Sequence, residues 1–186
     1  MTATEQWTLK KTVVLVGMMG AGKTAVGKAL AARLGVPFLD SDAEIEQAAA
    51  MSIAEIFARD GEAFFRARET QVIDRLLDGQ SGILSTGGGA FLSEKNRNLI
   101  SDKGVSVWLK ADLSLLWNRV KHKNTRPLLH TSDPYETLRA LYEARVPIYS
   151  MADLSVEARS DYSIETMASK VRDALAQRPD VLEAKP

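Results

Sequence analysis

Residues Gly17-Met18-Met19-Gly20-Ala21-Gly22-Lys23-Thr24 fit the pattern G-x-x-x-x-G-K-[ST]. Glycines at this spacing let successive backbone N–H groups turn inward on an anion. A helix that starts at the end of the loop adds the positive end of its dipole. Lysine there reaches the β- and γ-phosphates of a nucleotide, and the Thr24 hydroxyl is offered to Mg²⁺. The motif lies between a β-branched run, Thr12–Val16, and a helical apolar pattern through Val26, Leu30 and Leu34. A chance glycine turn does not require that context, whereas phosphate binding does. In many such proteins a neighbouring strand ends in an aspartate that helps hold the metal. Here the run Ile83–Ser85 passes instead into Thr86-Gly87-Gly88-Gly89. The metal-side acid is therefore sought elsewhere, and Asp40, at the end of the second predicted strand, is best placed.

Asp40-Ser41-Asp42 brings two carboxylates to that strand end. Helix capping is satisfied by Ser41 with Glu44 as its reciprocal partner, so two further acids exceed what a cap needs. In Phe64-Phe65-Arg66-Ala67-Arg68-Glu69, helical spacing puts Glu69 on the apolar face of Phe65, Val72, Ile73 and Leu76, with Arg66 at its edge. An acid on such a face needs a charged partner. Arg66 supplies one, although Glu62, four residues before Arg66, could equally engage it in solvent. Farther on, Leu138, Leu141, Tyr142 and Arg145 share one helical stripe. Arg145 either snorkels outward beside Pro147, which is expected to end that helix, or turns into a cleft toward an anion. The cleft reading is favoured. Two arginines aimed at one cleft suit a planar carboxylate, which guanidinium binds bidentately.

Three consecutive glycines, Gly87 to Gly89, need a reason, because glycine loses most conformational freedom on folding. They lack the G-x-G-x-x-G spacing of a dinucleotide loop, and they end a central strand. The remaining reading is a surface where an acceptor lies against bare backbone. A polar segment from about 121 to 133, without apolar periodicity, joins two helices. A connection of that length in a compact domain is disordered or a functional lid. A lid carrying Arg126, held extended by Pro127, would exclude water and compensate phosphate charge, with Arg119 at its base.

These residues need a scaffold, and the pattern supplies one. Strand-like runs at 12–16, 37–40, 83–85, 105–109 and 154–156 alternate with helical patterns. Such alternation gives one α/β domain with a parallel sheet covered on both faces. The expected organisation is a loose tail to residue 11, a domain over 12–178 and a frayed tail from 179. The 24 basic and 24 acidic residues cancel, so no overall field favours nucleic acid or an anionic membrane. No apolar stretch reaches the length of a membrane span, and MTATEQWTLKK lacks the apolar core of a signal peptide. The absence of cysteine suits a reducing cytoplasm. His122 and His130 cannot alone form a metal site.

Taken together, the motifs resemble the shikimate kinase family: G-x-x-G-x-G-K-T at 17–24, D-x-D at 40–42, F-R-x-x-E at 65–69, G-G-G at 87–89, R-P-L-L at 126–129 and R-x-P-x-Y at 145–149. The resemblance covers about Val13 to Val171. It implies a nucleoside-monophosphate-kinase-like α/β/α fold, with a five-stranded parallel sheet in order 2-3-1-4-5, and ATP-dependent phosphorylation of the shikimate 3-hydroxyl on the way to chorismate. It implies that Gly20, Ala21, Gly22, Lys23, Thr24 and Ala25 hold ATP, with Arg119 and Arg126, and that Thr24 and Asp40 serve Mg²⁺. Asp42, as base or orienter, would meet the shikimate hydroxyls. Arg66, oriented by Glu69, and Arg145 would hold the carboxylate, with Gly88 and Gly89 bordering the ring. Lys23, Asp42 and Arg126 form the expected catalytic set. Family members often set an arginine beside a proline against adenine; here Arg159 is the possible counterpart and the proline is missing. A monomer in the cytoplasm is expected. The alternatives are another small-molecule P-loop kinase, acting on a sugar acid or nucleoside monophosphate, and a non-catalytic nucleotide-binding domain. The latter is disfavoured because Lys23, Asp42 and Arg126 are all present.

Overall fold

A computed structural model describes residues 6–122 and 130–186. Arg126 and Pro127, expected in the lid, lie outside the described residues. In chain order the elements are β1 (Trp7–Leu9), β2 (Thr12–Val16), α1 (Lys23–Leu34), β3 (Phe38–Asp40), α2 (Ser41–Ala49) and α3 (Ile53–Leu77). Next come β4 (Ile83–Ser85), a 3₁₀ turn (Ala90–Leu92), α4 (Glu94–Lys103), β5 (Gly104–Lys110) and α5 (Leu113–Val120). After these follow α6 (Pro134–Tyr149), β6 (Leu154–Glu157), α7 (Ile164–Ala176) and β7 (Leu182–Ala184).

Five parallel strands pair in the order β3-β4-β2-β5-β6. With β1 set aside, this is the order 2-3-1-4-5 that the family resemblance implied. β2 lies at the centre because Val13, Val14 and Leu15 are wholly buried, and a strand covered on both faces needs such an unbroken apolar run. From β2 the chain crosses outward to β3, and from β4 it crosses back past β2 to β5. Right-handed crossovers in opposite directions put α1 and α4 on opposite faces. Accordingly α1 packs with α7, and α4 with α3. The reversal leaves the C-terminal ends of β2 and β4 side by side, with Leu15 opposite Ser85. Thr86 locks them together: its N–H and Oγ1 both donate to the Leu15 carbonyl, at 3.4 and 3.0 Å. Ligands of open α/β sheets bind at such a switch point.

Two local expectations are corrected. Asp40, not Ser41, caps α2, accepting from the Ala43 N–H at 3.1 Å. Ser41 is the first helical residue and is buried, and its hydroxyl accepts from the Gly87 N–H at 3.3 Å. The helix expected from about residue 62 to Leu77 is present as the second arm of α3, set off from the first by Gly61, whose φ of 83° and ψ of 174° are not helical. Pro147 does not end α6, which continues to Tyr149. Its missing N–H costs one backbone bond, and the last turn is held by Ser150, which donates its N–H to Val146 O at 2.9 Å and its hydroxyl to Pro147 O at 2.6 Å.

The described parts of the two expected tails, residues 6–11 and 179–186, are likewise not loose. β1 and β7 form an antiparallel pair in register from Trp7↔Ala184 to Leu9↔Leu182. Lys10 N–H donates to Val181 O, and Lys185 N–H to Gln6 O, each at 2.8 Å. Val181 and Leu182 are buried in the main core. Two apolar residues are too few to show a period, and their partner strand is remote in sequence. Leu182→Ala is therefore expected to lower unfolding free energy by about 2–5 kcal/mol, measured by chemical denaturation. A change below about 0.5 kcal/mol, the usual surface value, would return this end to the status of a tail.

Candidate functional site

At the end of β2 the chain forms a nest: Gly17, Gly20 and Gly22 have φ of 147°, 84° and 96°, values that side chains rarely adopt. Lys23 curls over this loop, donating to Gly17 O at 2.5 Å and Met18 O at 3.3 Å. The start of α1 differs from every other α-helix start among the described residues. Asp40, Ser52, Ser93, Asp112, Asp133 and Ser163 each cap a helix with a side-chain oxygen, whereas Gly22 offers none and no acid lies in the first turn of α1. The first-turn N–H groups and the positive dipole end are thus left for an anionic ligand.

A cavity of about 480 Å³ opens over this loop, lined by Met18 to Val26, Arg119, Tyr162, Ser163, Ile164 and Met167. Gly20, Ala21, Gly22, Lys23, Thr24 and Ala25 are all brought together there. Arg119, from the last turn of α5, donates to Gly20 O at 3.0 Å, so it borders the loop as expected. Arg159 is exposed, with its guanidinium 5.9 Å from the Tyr162 ring centroid, and it does not line the cavity. The lining Tyr162, Ser163 and Ile164 were not legible as site residues, because they appear in the sequence only as an ordinary helix start.

The other half of the site is built on the glycines. A Cβ placed on Gly87 would stand 2.7 and 2.8 Å from the Asp42 carboxylate oxygens. On Gly88 it would stand 3.0 Å from Arg145 Nη1, and on Gly89 it would stand 2.6 and 2.8 Å from the terminal nitrogens of Arg66. Three side chains, from α2, α6 and α3, therefore converge on three successive residues that have no side chains. Gly89 is ordinary in backbone conformation, with φ −93° and ψ −8°. Its lack of a side chain answers to space, not to torsion. Arg145 turns inward, and the snorkelling alternative is set aside.

Arg66 is held from below. Glu69 is 1% exposed and receives Arg66 Nη1 at 3.0 and 3.3 Å on its two oxygens. Glu62 reaches Arg66 only at 3.7 Å from an exposed position, so the buried acid is the anchor. Burial pushes the Glu69 carboxyl above its ordinary range, and the Arg66 charge pulls against that rise. Burial also raises Asp42, with Asp40 adding to the rise and Lys23 opposing it. Asp40 itself spends one oxygen on the α2 cap. Among the described residues no three histidines or acids cluster as a metal site. Thr24 and the Asp40–Asp42 pair are instead the oxygen donors beside the phosphate loop. That is a donor set suited to Mg²⁺, which takes one or two protein oxygens and otherwise water and phosphate.

Two supporting contacts escaped the sequence reading. Buried Asn96 donates to Ala90 O at 2.9 Å and accepts from Thr70 Oγ1 at 2.7 Å, tying the glycine turn to α3. Tyr149, present in the R-x-P-x-Y element without a role, donates its hydroxyl to Gly88 O at 2.6 Å. Gly87 was not singled out, although its position in the triplet was the available signal.

The family model described as shikimate kinase matches residues 19–176. A shikimate kinase of Ruegeria pomeroyi is 73% identical over 175 residues, covering 94% of this chain and 90% of its own. The solved shikimate kinase of Acinetobacter baumannii, in complex with shikimate, is 37% identical with a TM-score of 0.83, covering 91% of this chain and 95% of its own. A gluconokinase from Sinorhizobium meliloti has a TM-score of 0.58 at 21% identity, over 90% of this chain and 91% of its own, which is a likeness of fold alone. The chain belongs to the shikimate kinase family.

Proposed function

We infer that the chain transfers the γ-phosphoryl group of ATP to the 3-hydroxyl of shikimate, giving shikimate 3-phosphate and ADP. The observation that carries this reading is the convergence of Asp42, Arg145 and Arg66 on the Gly87–Gly89 backbone, one strand away from the phosphate loop. In this reading the nucleotide occupies the cavity above the loop. Its phosphates are held by Lys23 and the N–H groups of Gly20 to Ala25, and Arg119 stands beside them. Mg²⁺, when bound, would be held by Thr24 and, through water, by Asp40, and it would neutralise the β- and γ-phosphate charge.

Shikimate lies across the glycines, its carboxylate held by Arg145 and by Arg66. Asp42 accepts the hydrogen bond of the reacting hydroxyl, aligns it with the γ-phosphate and takes its proton as the new P–O bond forms. Phosphoryl transfer asks for little covalent help, so alignment and charge compensation carry most of the acceleration. No helix of the described residues is long and apolar enough to cross a membrane. We assign the enzyme to the cytoplasm as a monomer, a reading supported by a cysteine-free composition suited to a reducing compartment and by the family resemblance.

A coupled ADP-release assay tests the activity, and turnover is expected with shikimate in preference to gluconate. Arg145→Ala and Arg66→Ala should each raise the shikimate KM about 10- to 100-fold, the equivalent of one lost charge-assisted bond, while Lys23→Ala abolishes turnover. No acceptor-dependent ADP release by the folded wild type would reject the function. An unchanged shikimate KM in Arg145→Ala would reject the carboxylate assignment alone.

Gly88→Ala probes the acceptor floor. The added methyl group meets the mobile end of Arg145 and no backbone, so the fold should persist. The shikimate KM is expected to rise roughly tenfold with the MgATP KM within about twofold. Equal effects on both substrates would count against the floor.

A pH series probes Asp42. A carboxyl whose folded pKa is raised stabilises the fold fully below its unfolded value of 3.8, and that stabilisation is lost as pH rises through the folded value. Asp42→Asn should therefore melt higher than wild type near neutral pH, with the gap closing toward pH 3.8, and should turn over more slowly. A constant gap at all pH values would contradict the burial of an ionised Asp42.

A further inference from the structure

Tyr149 is the last residue of α6 and stands one turn after Arg145. Its side chain is among the largest that are fully buried, and its ring lies 6.3 Å, centroid to centroid, from that of Trp108. A buried phenol must find partners for both its proton and its lone pairs. Here the proton goes to the Gly88 carbonyl at 2.6 Å, and the Arg145 charge acts on the phenol oxygen. The phenol oxygen is therefore bonded to the middle glycine of the acceptor floor, which the Arg145 guanidinium faces.

The position of this tie matters because of Pro147, which lies between Arg145 and Tyr149. Proline has no N–H to return to the carbonyl four residues earlier, so the turn that carries Arg145 is held less firmly by its own backbone. Among the described residues Arg145 also has no counterpart to the Glu69 beneath Arg66. Its Nη1 comes within 3.0 Å of where a Gly88 Cβ would stand, and the Tyr149 hydroxyl holds the Gly88 carbonyl beside that approach. Burial raises the phenol above its ordinary pKa, with Arg145 opposing the rise. It therefore stays a proton donor throughout the working range.

We propose that Tyr149 is a positioning residue for phosphoryl transfer: its hydroxyl sets the Arg145 guanidinium and the Gly88 backbone at the spacing that receives the acceptor carboxylate. This rests on the acceptor site assigned under Proposed function, and it adds a residue that touches neither substrate. Tyr149 does for Arg145, across the end of one helix, what Glu69 does for Arg66 along another. The means are different. Glu69 holds its arginine by opposite charge, whereas a neutral phenol orients Arg145 without consuming the positive charge that the carboxylate needs.

The test is Tyr149→Phe, which keeps the ring and removes the tie. The shikimate KM should rise about 5- to 20-fold, with the MgATP KM within twofold and a smaller change in kcat. In an Arg145→Ala background the same substitution should add less than about twofold, because residues acting as one unit are not additive. A purely structural tyrosine would lower Tm and leave both KM values in their wild-type ratio, and that result overturns the proposal. Full additivity with Arg145→Ala overturns it as well. If Tyr149→Phe does not fold, wild-type protein with ¹³C at the tyrosine Cζ positions decides. The Tyr149 signal should move on titration with shikimate and not with ADP, and a stationary signal overturns the proposal. Failure of the functional reading looks different, since the wild type would then release no ADP with shikimate.

Discussion

Three charged side chains occupy the space where residues 87, 88 and 89 would otherwise carry Cβ atoms, and the rest of the site follows from that exclusion. Asp42, Arg145 and Arg66 can converge only if the surface beneath them has no side chains of its own. The convergence in turn demands that α2, α6 and α3 all end or bend near the end of β4. That strand must lie beside β2, so that the floor adjoins the phosphate loop. The reversal of crossover direction in the sheet provides this, and the Thr86 bonds to Leu15 O fix it.

Converging charges must be reconciled with burial, and the site does so unevenly. Glu69 is buried against a single arginine whose other face remains open, so the pair is neutral below and cationic above. Asp42 lies near Asp40 and is pushed toward protonation by burial, a condition that no requirement of folding explains. A chain selected for stability alone would not keep it. Such a group belongs to a site whose charge is balanced only when ligand is present. The uncapped start of α1 follows the same logic: among the described residues the six other α-helices each cap a first-turn N–H with a side-chain oxygen, and this one does not.

The two halves of the site were legible in the sequence to different degrees, for a physical reason. The phosphate loop is local. Its glycines, Lys23 and Thr24 are contiguous, and the conformation that binds phosphate is the one those residues adopt between a strand and a helix. The buried strand was legible for a related reason, in the unbroken apolar run at Val13–Val16, whereas the sheet order came from the family resemblance. The acceptor half is non-local. Periodicity placed Glu69 and Arg145 on inward faces, but it could not say which residue each would meet. Ser41 and Asp40 exchanged roles because a cap and a strand-end contact demand the same residue types. The β1–β7 pair was invisible because its register depends on partners at opposite ends of the chain. Arg159 was placed by analogy of order alone, and the cavity is lined by Tyr162 and Ile164 instead.

This division bears on how the site can vary. A local loop fails when any one of its residues is changed, but nothing elsewhere is needed to build it. A non-local floor distributes the same task over elements that meet only in the folded state. Its geometry therefore depends on contacts one step removed from the substrate, such as Glu69 beneath Arg66, Asn96 between α3 and the Ala90 carbonyl, and Ser41 against the Gly87 N–H. Each of these contacts is made by a buried polar side chain with defined partners, which fixes the spacing of the elements it joins more firmly than apolar packing would.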